Sequence, residues 1–432
     1  MTLRRAIPEK FNYATKQLED ASTFFDAYFT FSAVTEVPII YNRWTSLAAI
    51  SAILGKSYFL PFGRGRIYPN IYCMLIGVPG ARKSSAIKDM VRTLRAAQYE
   101  TIAAAKTSKE QFLADLQYGG ADVELEEKGQ VVMREMFGED AELCDESPLL
   151  IAADEFNNFI GAGNLEFISL LGELYDFEGI YKYRLRNGKS IRVPNPIITI
   201  CAGNTHESFV ECFPPETLGQ GFLSRLLLIY GDKTAKKISW PKIPEEGAEA
   251  TLVSWFGKIK STVSGAAHVD TDASGILSSI YESWPLLEDS RFKHYSHRRH
   301  TQLLKLCLLV SAARLSTTIT KEDVILSNSI LTYTEQLMPK ALGEFGKSRS
   351  SSAGSKILEA LYESQRPMQI KELYKVVSHE IDKFKDLGPI LEGLAQAEKI
   401  LVTPVGITAI QPKSLAHNKW VDFDLLPEAY LE

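Results

Sequence analysis

Ile71-Tyr-Cys-Met-Leu-Ile-Gly-Val-Pro-Gly-Ala-Arg-Lys-Ser-Ser85 decides the fold. Ile71 to Ile76 is a short apolar run rich in strand formers. A Gly/Pro turn follows, and a helical pattern runs on from Ser84. Strand, glycine-rich loop and helix in that order are the setting of a phosphate-binding loop. Residues 77–84 fit GxxxxGK[ST] with a single departure: Gly77, Lys83 and Ser84 are in place, but Arg82 stands where glycine is usual. Gly80 lies two places earlier. The backbone of Gly77, Val78, Pro79, Gly80, Ala81 and Arg82 is expected to wrap the phosphates of ATP, aided by the positive helix N-terminus. Lys83 is expected to reach the β- and γ-phosphates, and Ser84 to bind Mg2+ through its hydroxyl, with Ser85 next on the helix. Arg82 requires either a right-handed backbone or strain at its φ angle.

Further along, Leu149 to Ala153 is a second buried-type strand, ending in Asp154-Glu155. Carboxylates at that place suit a Mg2+ shell (Asp154) and a water-activating base (Glu155). Ile197 to Ala202 is a third such strand, followed by Gly203-Asn204-Thr205-His206, and Leu226 to Tyr230 a fourth. Asn204 is a candidate sensor of the γ-phosphate or of the water, against the plainer reading of an Asn closing a turn. His206 is its alternative. Arg225 precedes the fourth strand and is a candidate arginine finger for a neighbouring subunit, or a salt-bridged surface arginine. Apolar strands separated by helical stretches predict a parallel sheet covered on both faces.

The fold class expected is therefore α/β, a P-loop NTPase core of AAA+ or RecA-like type, with a helical lid and a C-terminal winged helix. The boundaries read as a helical region over 1–60, the core over 61–235, the lid over 236–346, the winged helix over 355–412 and a tail over 413–432. Trp44 to Leu54 is a helix stopped by Gly55, and Leu303 to Ala313 a strongly apolar one. His294-Tyr-Ser-His-Arg-Arg-His300 lacks a Cys or acidic partner at ligand spacing and reads as a basic helix start, from which Arg298 or Arg299 reaches a phosphate. Arg184, Arg186, Lys189 and Arg192, interleaved with Tyr181 and Tyr183, are either a nucleic-acid grip or an ordinary basic hairpin. Acidic stretches at 124–128 and 139–142 read as solvated faces.

Composition bounds the rest. A chain of 432 residues suggests two or three domains, and its 45% apolar and 23% charged content is ordinary for a soluble protein. A net charge of −5 argues against coating duplex DNA by charge alone, though basic residues confined to a channel remain compatible with it. Cys73, Cys144, Cys201, Cys212 and Cys307 form no CxxC pair, which suits a reducing compartment. No apolar run spans a membrane, and the first residues have no secretory h-region, so a cytoplasmic location is expected.

Five segments carry a resemblance: 77–85, Asp154-Glu155, Leu174-Tyr-Asp-Phe-Glu-Gly179, Asn195-Pro-Ile-Ile-Thr-Ile200 and Gly221-Phe-Leu-Ser-Arg225. Over roughly 35–340 the chain resembles the helicase-like ATPases of phages and mobile elements, often fused to primase domains. It is also similar to AAA+ helicases of the minichromosome maintenance type. The resemblance implies a homo-oligomer, a hexameric ring moving on single-stranded DNA, with duplex DNA and primase or other replication proteins as further partners. It assigns Arg225 as the finger and Arg298 as a second sensor on the nucleotide. The host cytoplasm is the implied setting if a phage encodes it. Arg82 departs from the pattern, and no primase-type catalytic array is present. A helicase or translocase and an ATP-switched loader or initiator stay as the two readings. The mixed charges of the C-terminal helices (Lys371, Lys375, Lys383 and Lys385 beside Glu372, Glu380, Asp382 and Asp386) favour protein or weak phosphate contact over base reading.

Overall fold

The computed structural model describes the chain apart from residues 1–5, 14, 15, 18–20, 118–145, 186, 187, 189, 214–220, 233, 235, 241–246, 288, 344–348, 365, 380, 382, 397, 398, 411–417, 431 and 432. The acidic stretches, Cys144, Arg186, Lys189, Glu380 and Asp382 therefore lie outside the described residues. Helix α1 (Phe24–Ser32) opens in a reciprocal cap: Thr23 Oγ1 accepts the Asp26 N–H at 3.2 Å, and Asp26 Oδ2 accepts the Thr23 N–H at 3.1 Å. Helix α2 (Ile39–Leu54) is buried on nearly all sides, its polar Asn42, Arg43, Thr45, Ser46 and Ser51 included. It stops at Gly55, whose φ of +51° favours glycine. Helix does not continue to residue 60 as expected. The aromatic, strand-forming residues that follow make β1 (Tyr58–Phe62), which turns back at Gly63 into β2 (Gly65–Ile67).

The core sheet follows. β3 (Tyr72–Ile76) leads through the glycine loop into α3 (Lys83–Ala96), then α4 (Lys109–Gln117). β4 (Ser147–Ala153), α5 (Phe156–Ile160) and α6 (Leu165–Leu174) come next, then an antiparallel hairpin of β5 (Ile180–Arg184) and β6 (Ser190–Pro194). β7 (Pro196–Asn204), α7 (His206–Cys212) and β8 (Leu226–Tyr230) complete it. The sheet order is β4-β7-β3-β8, all parallel. The strands are near-continuous apolar runs, as a sheet between helices requires. α2 and α3 pack against it, as do α5, α6 and α7. Tyr72 pairs with Ile200 and Leu226 at one end of the sheet, and Ile76 with Asn204 and Tyr230 at the other. The loops after β3, β4, β7 and β8 thus share one edge, where open α/β sheets bind ligands.

Beyond the sheet lie α8 (Ala248–Thr262), β9 (Gly265–Ala266), β10 (His268–Val269) and α9 (Thr271–Ser283). Then come α10 (Lys293–Ser296), α11 (Arg299–Ala313), β11 (Thr318–Ile319) and α12 (Lys321–Leu342). β9 adds in parallel to β1. α8 and α11 pack on α2, so the expected lid shares a core with the N-terminal helices. The chain divides into two compact units, residues 1–341 with 420–432, and residues 342–419.

Within the expected C-terminal tail, residues 420–430 pack with the larger unit. Glu428 is buried against Arg43, Oε1 to Nε 3.0 Å, and its carbonyl accepts from Tyr333 Oη at 2.6 Å. Asn328 Nδ2 donates to the Trp420 carbonyl at 2.8 Å, and Asp422 N to Ser329 Oγ at 2.8 Å. The smaller unit has α13 (Arg349–Ser364), α14 (Ile370–Val377), α15 (Leu387–Gln396) and a hairpin of β12 (Ile400–Thr403) and β13 (Gly406–Ala409). Ile357, Leu373, Leu387, Ile400 and Ile407 share its core. Cys73, Cys201, Cys212 and Cys307 are buried and free. Among the described residues no helix is long and apolar enough to cross a membrane.

Candidate nucleotide site

Gly77 leaves the end of β3 under a tight constraint. A Cβ there would lie 2.5 Å from Tyr41 Oη and 2.7 Å from the Gly231 carbonyl, so only glycine fits. Tyr41 is buried, and its hydroxyl lies 2.9 Å from the Ile76 carbonyl and 3.0 Å from that of Gly231. One proton shared between two strand-end carbonyls ties the base of the loop to the end of β8. Gly80 then takes φ +81°.

Arg82 adopts φ +63° and ψ +20°, the left-handed region. Of the two conformations open to it, the chain takes the strained one, at a cost of about 1–2 kcal/mol. Its guanidinium is engaged by Glu36: Nε lies 3.0 Å from Oε2, and Nη2 contacts the same oxygen. Glu36 Oε1 accepts the Ile238 N–H at 2.7 Å. The Ile238 N–H, then Arg82, holds the Glu36 carboxyl below its usual range. Glu36 thereby joins the loop to the segment after β8.

α3 begins without a side-chain cap. The leading N–H groups of a helix have no partner inside it and carry the positive end of its dipole. That is the donor set a phosphate group needs. Lys83 is the first helical residue, and its Nζ donates to the Gly77 carbonyl at 2.6 Å and the Val78 carbonyl at 3.1 Å. Burial lowers its pKa, while Glu155 and Glu207 pull it back up. Ser84 and Ser85 follow on the first turn, partly exposed.

Asp154 and Glu155 leave β4, one strand further out, with β7 between them and the loop. Gly203 admits this approach, since a Cβ there would meet the Asp154 carbonyl at 2.5 Å. Asp154 Oδ2 is 3.0 Å from Lys88 Nζ, both exposed. Glu155 Oε2 accepts from Asn158 Nδ2 at 2.9 Å. Asn204 ends β7 opposite Ile76 and is fully buried. Its Nδ2 reaches only Met74 Sδ, at 3.5 Å, and its Oδ1 has no partner among the described residues. A buried amide oxygen left unpaired costs about 1–3 kcal/mol, and such an exception asks for a functional account. His206 instead opens α7 beside Tyr230, with ring centroids 6.0 Å apart.

Arg225 and Arg298 are placed elsewhere. Arg225 precedes Leu226, which pairs with Tyr72, so it stands where β3 and β8 begin. Four strand steps of ~3.3 Å separate that end from the loop. Around Asp176 gather Arg225 Nε at 3.9 Å, Arg298 Nη1 at 3.6 Å and Lys305 Nζ at 3.5 Å. The helix start that carries Arg298 packs at the end of the sheet opposite the glycine loop, so within one chain Arg298 does not reach that loop. Arg225 is not a projecting side chain. It is largely covered, and Nη1 donates to the Gly221 carbonyl at 2.6 Å. Burial and then Arg298 lower its pKa. Lys305 is buried, donates to Asn70 Oδ1 at 2.6 Å and has its pKa lowered to about 8 by burial.

Arg299, the alternative to Arg298, is structural: Glu335 lies 2.8 Å away, and the Trp284 ring is beneath it at 4.0 Å. No metal-binding cluster of His, Cys, Asp or Glu occurs among the described residues. The basic hairpin is real in its described part, with Lys182 opposite Arg192. Sequence reasoning missed Tyr41, Glu36 and Lys305. Each acts on residues distant in the chain, and no local motif marks any of them. No protein-family model and no curated protein sequence matches the chain.

Proposed function

We propose that this chain is an ATPase that works as a homo-oligomeric motor, a hexamer by its resemblance to helicase-like ATPases, on single-stranded DNA in replication. The observation that carries the reading is the shared edge: the strained loop with Lys83, the Asp154-Glu155 pair and the unpartnered Asn204 oxygen all leave the same ends of neighbouring parallel strands. Lys83 and the α3 N–H groups hold the terminal phosphates of ATP. Ser84 and Asp154 are the residues to hold Mg2+, which when bound neutralises phosphate charge. Glu155 accepts a proton from the attacking water, and Asn204 orients it. Arg225, released from Gly221 and Asp176, serves the site of a neighbouring copy, with Arg298 beside it. The three helices and hairpin of residues 342–419 act as a winged helix toward DNA or a replication partner such as a primase. The setting is cytoplasmic, the host's if a phage encodes the chain.

Lys88 favours a second reading. Its exposed ion pair with Asp154 competes with Mg2+ for that carboxylate, which suits the slow turnover of an ATP-driven assembly switch. ATP turnover with and without single-stranded DNA, followed by unwinding of a forked duplex, separates the two. A motor is stimulated and unwinds. A loader turns over slowly and does not unwind by itself. Absence of ATP binding at millimolar nucleotide overturns both.

A further inference from the structure

We propose that Asp176 is a specificity-determining residue: its carboxylate parks Arg225 and Arg298 and yields them to a neighbouring copy that holds a triphosphate, not to one that holds a diphosphate, given the reading of Arg225 as a side chain donated to a neighbour.

Asp176 follows the end of α6 and is exposed. Its two oxygens serve different cations. Oδ1 lies 3.5 Å from Lys305 Nζ, while Oδ2 is shared by Arg298 Nη1 at 3.6 Å and Arg225 Nε at 3.9 Å. Lys305 is a fixed member, buried and donating also to the Tyr68 carbonyl at 3.0 Å and to Asn70 Oδ1 at 2.6 Å. It anchors the carboxylate by one oxygen and leaves the other to the arginines. Both arginine contacts are longer than a directed hydrogen bond, so Asp176 holds these two side chains by charge. Arg225 Nε makes no hydrogen bond among the described residues. The Arg225 main chain is fixed separately, its carbonyl accepting from Gln302 Nε2 at 3.0 Å. The side chain can therefore exchange partners while its backbone stays. Gly221 completes the parking place. A Cβ there would lie 2.8 Å from Arg225 Nη1, which donates to the Gly221 carbonyl at 2.6 Å. The guanidinium folds back into room that glycine leaves open.

Two guanidiniums side by side repel. Burial and then Arg298 lower the pKa of Arg225, so both work against its charge. A shared anion offsets that repulsion. Within one copy the anion is Asp176. Across an interface it is the terminal phosphate of the neighbour's ATP, which presents more charge and more acceptor oxygens than one carboxylate. A diphosphate lacks that group. An equilibrium between parked and donated arginines shifts only by the difference in affinity for the two states. By stabilising the parked state, Asp176 sets a threshold that a γ-phosphate exceeds and a diphosphate does not. A purely structural ion pair needs one cation for its carboxylate. Here three cations meet one exposed carboxylate, and the excess charge is what a phosphate takes up.

Sedimentation of the full chain with Mg2+ and either AMP-PNP or ADP tests the threshold. The wild type is expected to associate about tenfold or more tightly in AMP-PNP. Asp176→Asn keeps the shape and removes the charge. It is expected to tighten association in ADP by about tenfold, the factor carried by two partly exposed ion pairs, so that the preference for AMP-PNP collapses. Gly221→Ala leaves the carboxylate in place and displaces only the parked guanidinium. It is expected to shift the preference in the same direction by less. An unchanged preference in Asp176→Asn overturns the threshold, and so does an equal loss of association in both nucleotides, which a merely structural ion pair would cause. Equal association of the wild type in AMP-PNP and ADP overturns it too. These results leave the donated arginine standing where Arg225→Ala weakens association in AMP-PNP. Wild-type association and turnover in Arg225→Ala overturn the donated arginine itself.

Discussion

The two ends of the central sheet handle polar groups in opposite ways. At the end where the strands finish, donors and acceptors are left incomplete: α3 is uncapped, Asn204 Oδ1 is buried without a partner, and Arg82 is held in a strained turn. At the end where β3 and β8 begin, three cations gather on Asp176, and Lys305 is also fixed by Asn70 and the Tyr68 carbonyl. The first end leaves donors and acceptors unmet among the described residues. The second is largely satisfied internally, yet it carries more positive than negative charge. The sheet thus has a receiving end, where polar groups are left unmet among the described residues, and a donating end, where cations gather.

Breaking the donating end should have the largest effect. Arg225→Ala is expected to lower ATP turnover about 10³-fold, as loss of an arginine finger does. Mixing it with Lys83→Ala chains should restore turnover, because some interfaces then hold an intact lysine and an intact arginine. Turnover no greater than the sum of the two variants would break the division between ends. At the receiving end, Glu155→Gln is expected to cost about 10²-fold or more in turnover while nucleotide binding, followed by calorimetry, persists.

Stability measurements sharpen the comparison further. Lys305 has a folded pKa of about 8, below the 10.5 of an ordinary lysine. The unfolded chain thus binds more protons between these values, and this lysine's contribution raises stability with pH from about 8 toward 10. One proton gives a slope of at most about 1.4 kcal/mol per pH unit. Urea melts of Lys305→Met should lack that slope. The smallest effect is expected from Arg82→Gly. It relieves about 1–2 kcal/mol of left-handed strain and loses a largely exposed ion pair worth about 0–1 kcal/mol, so urea melts should show a gain of about 1 kcal/mol or less. Marked destabilisation would show that the Glu36 contact outweighs the strain.

Much of the receiving end was legible in the sequence. Residues 71–85, 149–155, 197–204 and 226–230 are strands and a loop whose character is local: apolar runs ended by glycine or acids. Strand order was not legible, because pairing β7 between β3 and β4 depends on tertiary packing. The hairpin at 58–67 begins inside a stretch read as helical to residue 60, and it gains its third strand from the distant Gly265–Ala266. Where Arg298 packs was not legible, because the spacing of a helix start gives no hint of which sheet end it meets. Glu36 and Tyr41 were invisible for the same reason: their partners, Arg82 and Gly231, are distant in the chain.

The return of residues 420–430 to the larger unit has a mechanical consequence. The smaller unit is a closed excursion, pinned where it leaves α12 and again where Glu428 locks onto Arg43. The smaller unit is therefore joined to the larger one by two chain segments instead of one. A single protease cut within the excursion would leave both fragments attached. Pulling the larger unit apart requires breaking a buried ion pair as well as a helix.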